Sequence, residues 1–142
     1  MNEVDKIILD SYQYLSSLGI GRFVYSGSYG LYLNGISLGR ELEDIDIRFL
    51  DLSKEEKQNL KLEFSPTIDR VPKMLNPEED LWEEKDWNGI KILVSTPESI
   101  INAKKRTLDF LSNPKTFMTK RRKSQKEKIL QDLEYLKEHY GL

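Results

Sequence analysis

The chain has 142 residues, a formal net charge of −2 and no cysteine. That length suits one domain, and 38% hydrophobic with 32% charged residues suits a folded core under a heavily solvated surface, which argues against disorder. The balance of charge exerts no global pull on nucleic acid or an anionic membrane, so such a partner needs a local patch. The absence of cysteine excludes disulfides, thiolate metal ligands and a cysteine nucleophile, and it fits a reducing compartment.

Glu3, Asp5, Lys6 and Asp10 interrupt the apolar residues at the start, which is unlike a signal peptide. No stretch reaches the roughly 18–20 apolar residues of a membrane span. The expected location is cytoplasmic, with no membrane partner.

In chain order, Val4, Ile7, Ile8, Leu15 and Leu18 recur at helical spacing, and Gly19 with Gly21 ends that helix. Residues 23–26 form a β-rich stretch that stops at Gly27. Residues 29–34 read as a short helix, followed by a flexible loop containing Gly35 and Gly39. Residues 45–50 set Ile45, Ile47 and Phe49 against Asp46 and Arg48, the period-2 pattern of a half-buried strand. A charged helix at about 53–60 comes next.

The region 61–95 reads as strand-rich, with strands at 61–64, 67–71 and 90–94, and with Trp82, Trp87 and Gly89 punctuating the approach to the last. Thr96-Pro97-Glu98 is a helix start: a capping threonine, proline at the first helical position, and an acid complementing the dipole. That helix runs to about Leu111 and breaks at Asn113-Pro114. A terminal helix from about Thr116 to His139 has Ile129, Leu130, Leu133 and Leu136 on its buried stripe. Helices flanking a small mixed sheet predict an α/β or α+β fold, one domain over residues 1–142, with a core at about 22–95 and a C-terminal helical part at about 96–142.

The stretch richest in chemistry is 26–49. Side chains two apart on a strand share a face, with Cα atoms roughly 6.5–7 Å apart, so Asp44 and Asp46 are expected to point the same way while Ile45 and Ile47 face the core. Two adjacent carboxylates repel, and one takes up a proton unless a cation sits between them. Hard oxygen donors with no histidine or cysteine nearby favour magnesium or manganese. Gly27-Ser28 sits where a strand turns into a helix; glycine allows backbone to approach phosphate, and amide groups at a helix start attract anions. An Asp-x-Asp or a Gly-Ser alone is common in solvated turns. The order of strand, Gly-Ser, short helix, glycine loop and Asp-x-Asp strand is much more specific.

In that order the segment resembles the DNA polymerase β-type nucleotidyltransferase superfamily, which carries Gly-Ser or Gly-Gly, about a dozen residues, and then Asp-x-Asp. It is most similar to the minimal, AbiEii-like toxin-type domains, through Gly27-Ser28, Leu31-Tyr32-Leu33, Gly35 and Glu43-Asp44-Ile45-Asp46-Ile47. The loop from Gly35 to Asp44 is slightly longer than usual. The resemblance implies a nucleotidyltransferase fold, a nucleoside triphosphate substrate, Mg2+ or Mn2+, and a third carboxylate on a following strand. Asp69 is the best match for that acid, with Glu63 as the competitor.

Further on, residues 95–105 are similar to a helix start followed by an inward lysine near the triphosphate; Lys104 fits it and Lys105 is the alternative. A late Lys-Asp-x-x-Asp-Leu segment of the relatives aligns with residues 128–133. There Lys128, Asp132 and Leu133 match, while Ile129 replaces the first aspartate. The resemblance covers residues 22–136, with the first motif alone specific. It implies catalytic and metal-binding roles for Asp44, Asp46 and Asp69, and nucleotide-binding roles for Gly27, Ser28, Lys104, Lys128 and Asp132.

The run 120–128 carries Lys120, Arg121, Arg122, Lys123, Lys126 and Lys128 against Glu127. It reads equally as a phosphate-contacting surface for a tRNA or other RNA acceptor and as a solvated helix face. The expected activity is transfer of a nucleoside monophosphate from an NTP to RNA or protein, in a toxin–antitoxin or phage-defence setting with an antitoxin partner. The competing expectation is a catalytically inactive nucleotide-binding or protein-interaction module of the same fold.

Overall fold

A computed structural model describes residues 1–71 and 80–142. Five helices and five strands are present among them: α1 (Glu3–Ser17), β1 (Phe23–Ser26), α2 (Gly27–Leu33), β2 (Ile45–Phe49), α3 (Lys54–Asn59), β3 (Ile68–Val71), β4 (Trp82–Trp87), β5 (Ile90–Ser95), α4 (Pro97–Ser112) and α5 (Lys120–Tyr140). The strands form one mixed sheet in the order β3-β2-β1-β5-β4. The β1–β2 and β4–β5 pairs are antiparallel; β1–β5 and β2–β3 are parallel. The fold is thus mixed α/β.

Caps fix the helix starts. Asn2, Ser53, Thr96 and Thr119 each accept a backbone N–H from three residues on, satisfying a donor that the first turn leaves open. Ser53 and Glu56 add the reciprocal bond of a capping box.

The alternation in β2 places Ile45, Ile47 and Phe49 in the main core with Ile8, Leu15, Phe23, Tyr25 and Ile68. Each such side chain contributes about 1.5–3 kcal/mol by leaving water. Helix α1 therefore covers this face, and Asp46 projects from the other. A second cluster of Leu31, Leu38, Ile100, Ile101 and Leu136 ties α2, α4 and α5 together. The buried Tyr25 hydroxyl meets Ser11 Oγ at 2.7 Å and donates to the Ile8 carbonyl at 3.1 Å, linking sheet to helix.

Several expectations are corrected. Residues 61–64 are not a strand, although the pattern suggested one; Tyr14 binds this stretch instead, accepting the Glu63 N–H at 2.7 Å and packing its ring on Phe64. Conversely, 82–87 is a strand, closed onto β5 by Asn88-Gly89, both at positive φ (47° and 82°), the signature of a tight hairpin. Its four consecutive charged residues between two tryptophans hid a partly exposed edge strand. Within the same region, 72–79 lies outside the described residues. Helix α5 begins at Lys120 rather than 116, because Thr119 supplies the cap. Leu130 is exposed at 46%, and Asp132, at 3%, occupies the buried stripe. Leu18, the last residue at helical spacing in that segment, caps the C-terminus of α1 and is exposed.

Candidate functional site

The backbone brings the three suspected acids together. Asp46 lies opposite Ser26 on β1 and opposite Asp69 on β3, so the parallel register seats Asp69 beside the Asp-x-Asp segment. Asp44 precedes β2 and is exposed, within hydrogen-bonding reach of Asp69. Glu63 stands in the extended segment held by Tyr14 and takes no place in this register.

Gly27 closes one side. Its φ of 58° is left-handed, and a Cβ there would overlap the Asp46 carboxylate. Glycine is required twice over, by conformation and by space.

Burial, followed by the charge of Asp69, pushes the Asp46 carboxyl from 3.8 up to about 6; Asp44 adds to the rise while Lys104 and Lys128 oppose it. Burial, the Asp44 charge and the hydrogen bond with Asp44 raise Asp69, while Arg121 and Arg70 oppose that rise. The site thus holds more negative charge than its surroundings neutralise. Among the described residues, no three His, Cys, Asp or Glu side chains are gathered as a ready cation cage. In donor type and in charge these carboxylates suit a hard divalent cation.

A cationic wall faces the acids. The buried Asp132 carboxylate accepts from Arg40 Nε at 2.8 Å and Nη2 at 2.7 Å, and from Lys104 Nζ at 3.3 Å. Burial alone would raise the Asp132 carboxyl, but the Arg40 hydrogen bonds and the Lys104 charge hold it below its ordinary value. What faces the site is therefore the pair of cations that Asp132 holds. Arg40 Nη2 also donates to Ser28 Oγ at 3.3 Å, and Lys128 contacts Glu43 at 2.6 Å. Lys105, the alternative to Lys104, is exposed and takes no part in these pairs.

Gly27, Ser28, Asp44, Asp46, Asp69, Lys104 and Lys128 thus surround one region, with Asp132 buried behind it. The sequence reading missed Arg40 and gave Glu43 no role beyond its place in the motif. The available signal was an arginine following a glycine in the loop just ahead of Asp44. That loop is anchored, with Leu38 buried and the Ser37 N–H donating to the Tyr140 hydroxyl at 2.9 Å. Of the basic run, Arg121 comes within electrostatic reach of Asp69, and Arg122 lies over the Phe110 ring at 5.5 Å.

Fold and geometry define a mixed α/β protein with an acidic centre faced by buried-anchored cations. Comparison of the chain with protein-family models, with curated proteins and with solved structures gives no match. Among the described residues no helix is long and apolar enough to cross a membrane.

Proposed function

We propose that the protein is a nucleotidyltransferase of the DNA polymerase β type, transferring a nucleoside monophosphate from an NTP to an acceptor. The observation that carries this reading is the β2–β3 register that sets Asp69 directly across from Asp46, on the side of the sheet reached by Lys104 and Lys128. Asp44, Asp46 and Asp69 would hold Mg2+ or Mn2+, which supplies charge neutralisation at the phosphates and lowers the pKa of an attacking hydroxyl.

The chain's own residues do the rest. Ser28, Arg40 and Lys104 line the path of a triphosphate, and because Asp132 already fixes both cations, little reorganisation is needed when phosphate charge arrives. The Arg40 guanidinium is already engaged by Asp132, Ser28 and the Glu41 carbonyl, so it contributes fixed positive charge beside the path. Asp69, whose carboxyl has a raised proton affinity, accepts the proton of the acceptor hydroxyl. The hydroxyl oxygen bonds to the α-phosphorus, the bond from that phosphorus to the bridging oxygen breaks, and pyrophosphate leaves.

Arg121 near Asp69 supports an acceptor that arrives along the start of α5, where Lys120, Arg122 and Lys123 add positive charge. RNA suits that surface. A toxin-like role with an antitoxin partner belongs to the same reading.

The test is transfer of label from α-labelled NTPs to bulk tRNA or to the protein itself. Magnesium-dependent labelling that disappears in Asp46→Ala and Asp69→Ala is expected; labelling that persists in both variants refutes the site. A second reading, a nucleotide-binding module without turnover, is favoured by the lack of a ready cation cage among the described residues and by Ile129 in place of an acid. It requires nucleotide binding with no transfer from any NTP.

A further inference from the structure

A cleft of about 320 Å³ lies between the start of α1, α2 and the loop 36–42. Val4, Ile7, Ile36 and Leu42 give it apolar walls; Glu3 and Glu41 bring carboxylates and Arg40 a guanidinium. Tyr29 also lines it and is 1% exposed. Among the described residues the buried side-chain atoms without a partner do not include the Tyr29 hydroxyl, so a phenol group borders the cleft. Burial, then the charges of Asp44 and Glu3, raise its pKa, which locates the hydroxyl between the acidic centre and α1. The neighbouring Tyr32 hydroxyl is fully engaged, donating to Asp5 at 2.8 Å and accepting from Asn2 at 3.0 Å. That pair ties the start of α1 to α2 and fixes the cleft wall.

We propose that this cleft binds the nucleoside part of a ligand whose phosphates run past Arg40 toward Ser28. The proposal rests on the reading that the protein handles nucleotides, and it deepens that reading by giving the base a place. Volume decides the first point: the cleft stands at the small end of ligand pockets, which span roughly 300–1,000 Å³. It therefore has room for a nucleoside-sized group but not for a whole triphosphate. Chemistry decides the second. A flat ring with amino and imino edges suits apolar walls, carboxylate acceptors at Glu3 and Glu41, and the Tyr29 phenol at the cleft wall. Arg40 belongs to both regions, lining the cleft and reaching Ser28 at 3.3 Å, so it stands where base and ribose would give way to phosphate.

The occupant is either the incoming NTP's own nucleoside or the terminal nucleoside of an RNA acceptor. Methyl NMR of the full chain without metal, titrated with adenosine and with cytidine, tests the cleft directly. Shifts confined to Val4, Ile7, Ile36, Leu38 and Leu42 are expected with at least one of them. Val4→Trp and Ile7→Trp, which fill the cleft, should weaken that binding at least tenfold, and Tyr29→Phe about threefold, with the other methyl signals unchanged. Shifts with a non-hydrolysable NTP alone assign the incoming nucleoside; shifts that need an added RNA oligonucleotide assign the acceptor. No shift with either nucleoside, or equal binding by both filled variants, overturns the proposal. Because neither metal nor turnover enters the readout, an inert chain that still binds nucleosides sinks the transfer reading alone, while an active one with silent cleft methyls sinks the cleft alone.

Discussion

Replacing Asp46 with asparagine removes a charge that the fold holds at a loss. The Asp46 carboxyl stands at about 6 against an ordinary 3.8. The folded protein therefore keeps a proton there over a range where the unfolded chain has released it, and stability falls as pH rises from about 4 through about 6. Moving that carboxyl from 3.8 to about 6 corresponds to about 3 kcal/mol. The side chain keeps some contact with water, so about 1–3 kcal/mol is the working range.

Asparagine matches the shape, cannot ionise, and can donate to the carboxylates of Asp44 and Asp69. Urea unfolding of both proteins from pH 4 to 8 without metal isolates the effect, since the other acids titrate in each. The advantage of Asp46→Asn is expected near zero at pH 4, growing to about 1–3 kcal/mol by pH 7. Magnesium or manganese should stabilise the parent at pH 7.5 and leave the variant largely unmoved. A pH-independent difference, or a variant less stable than the parent at pH 7.5 without metal, refutes the electrostatic argument.

Other outcomes follow from the same geometry. Gly27→Ala, strained by left-handed backbone and by overlap with Asp46, should lose about 1–3 kcal/mol of stability by urea unfolding together with any transfer activity. Asp132→Ala leaves Arg40 and Lys104 without their shared anion and should cost about 3–5 kcal/mol; since its depressed pKa makes its contribution vanish as pH falls below the ordinary carboxylate range, parent and variant should converge in acid. Tyr25→Phe removes the bonds to Ser11 and Ile8 and should cost about 1–2 kcal/mol by the same assay without touching the site. Asp69→Ala should abolish transfer from α-labelled NTPs, whereas Glu63→Ala should leave it near the parent rate.

The parts legible in the sequence were those set by short-range rules. Alternation gave β2 and the Thr96-Pro97 start gave α4, whereas Asp44, expected to share a strand face with Asp46, lies just ahead of β2. Long-range pairing was harder to read. The 61–64 run has strand-like composition, yet it is held by Tyr14 from α1, a contact 49 residues away that no local pattern announces. Strand β4 was obscured because its exposed edge carries Glu83, Glu84 and Asp86 where a buried strand would carry apolar groups. Asp69 could be nominated from sequence, but only the parallel β2–β3 register sets it across from Asp46. Arg40 was missed because its partner, Asp132, lies 92 residues further along the chain. A buried aspartate among Ile129, Leu133 and Leu136 was the available hint that a cation had to come from elsewhere.

The most direct test of the central claim is a manganese titration followed by electron paramagnetic resonance, with a non-hydrolysable NTP present, on the parent chain and on Asp46→Asn and Asp69→Asn. The account predicts that the parent takes up manganese and that each variant binds it at least tenfold more weakly. Equal uptake by all three proteins would contradict it, since the cation would then lie away from these carboxylates.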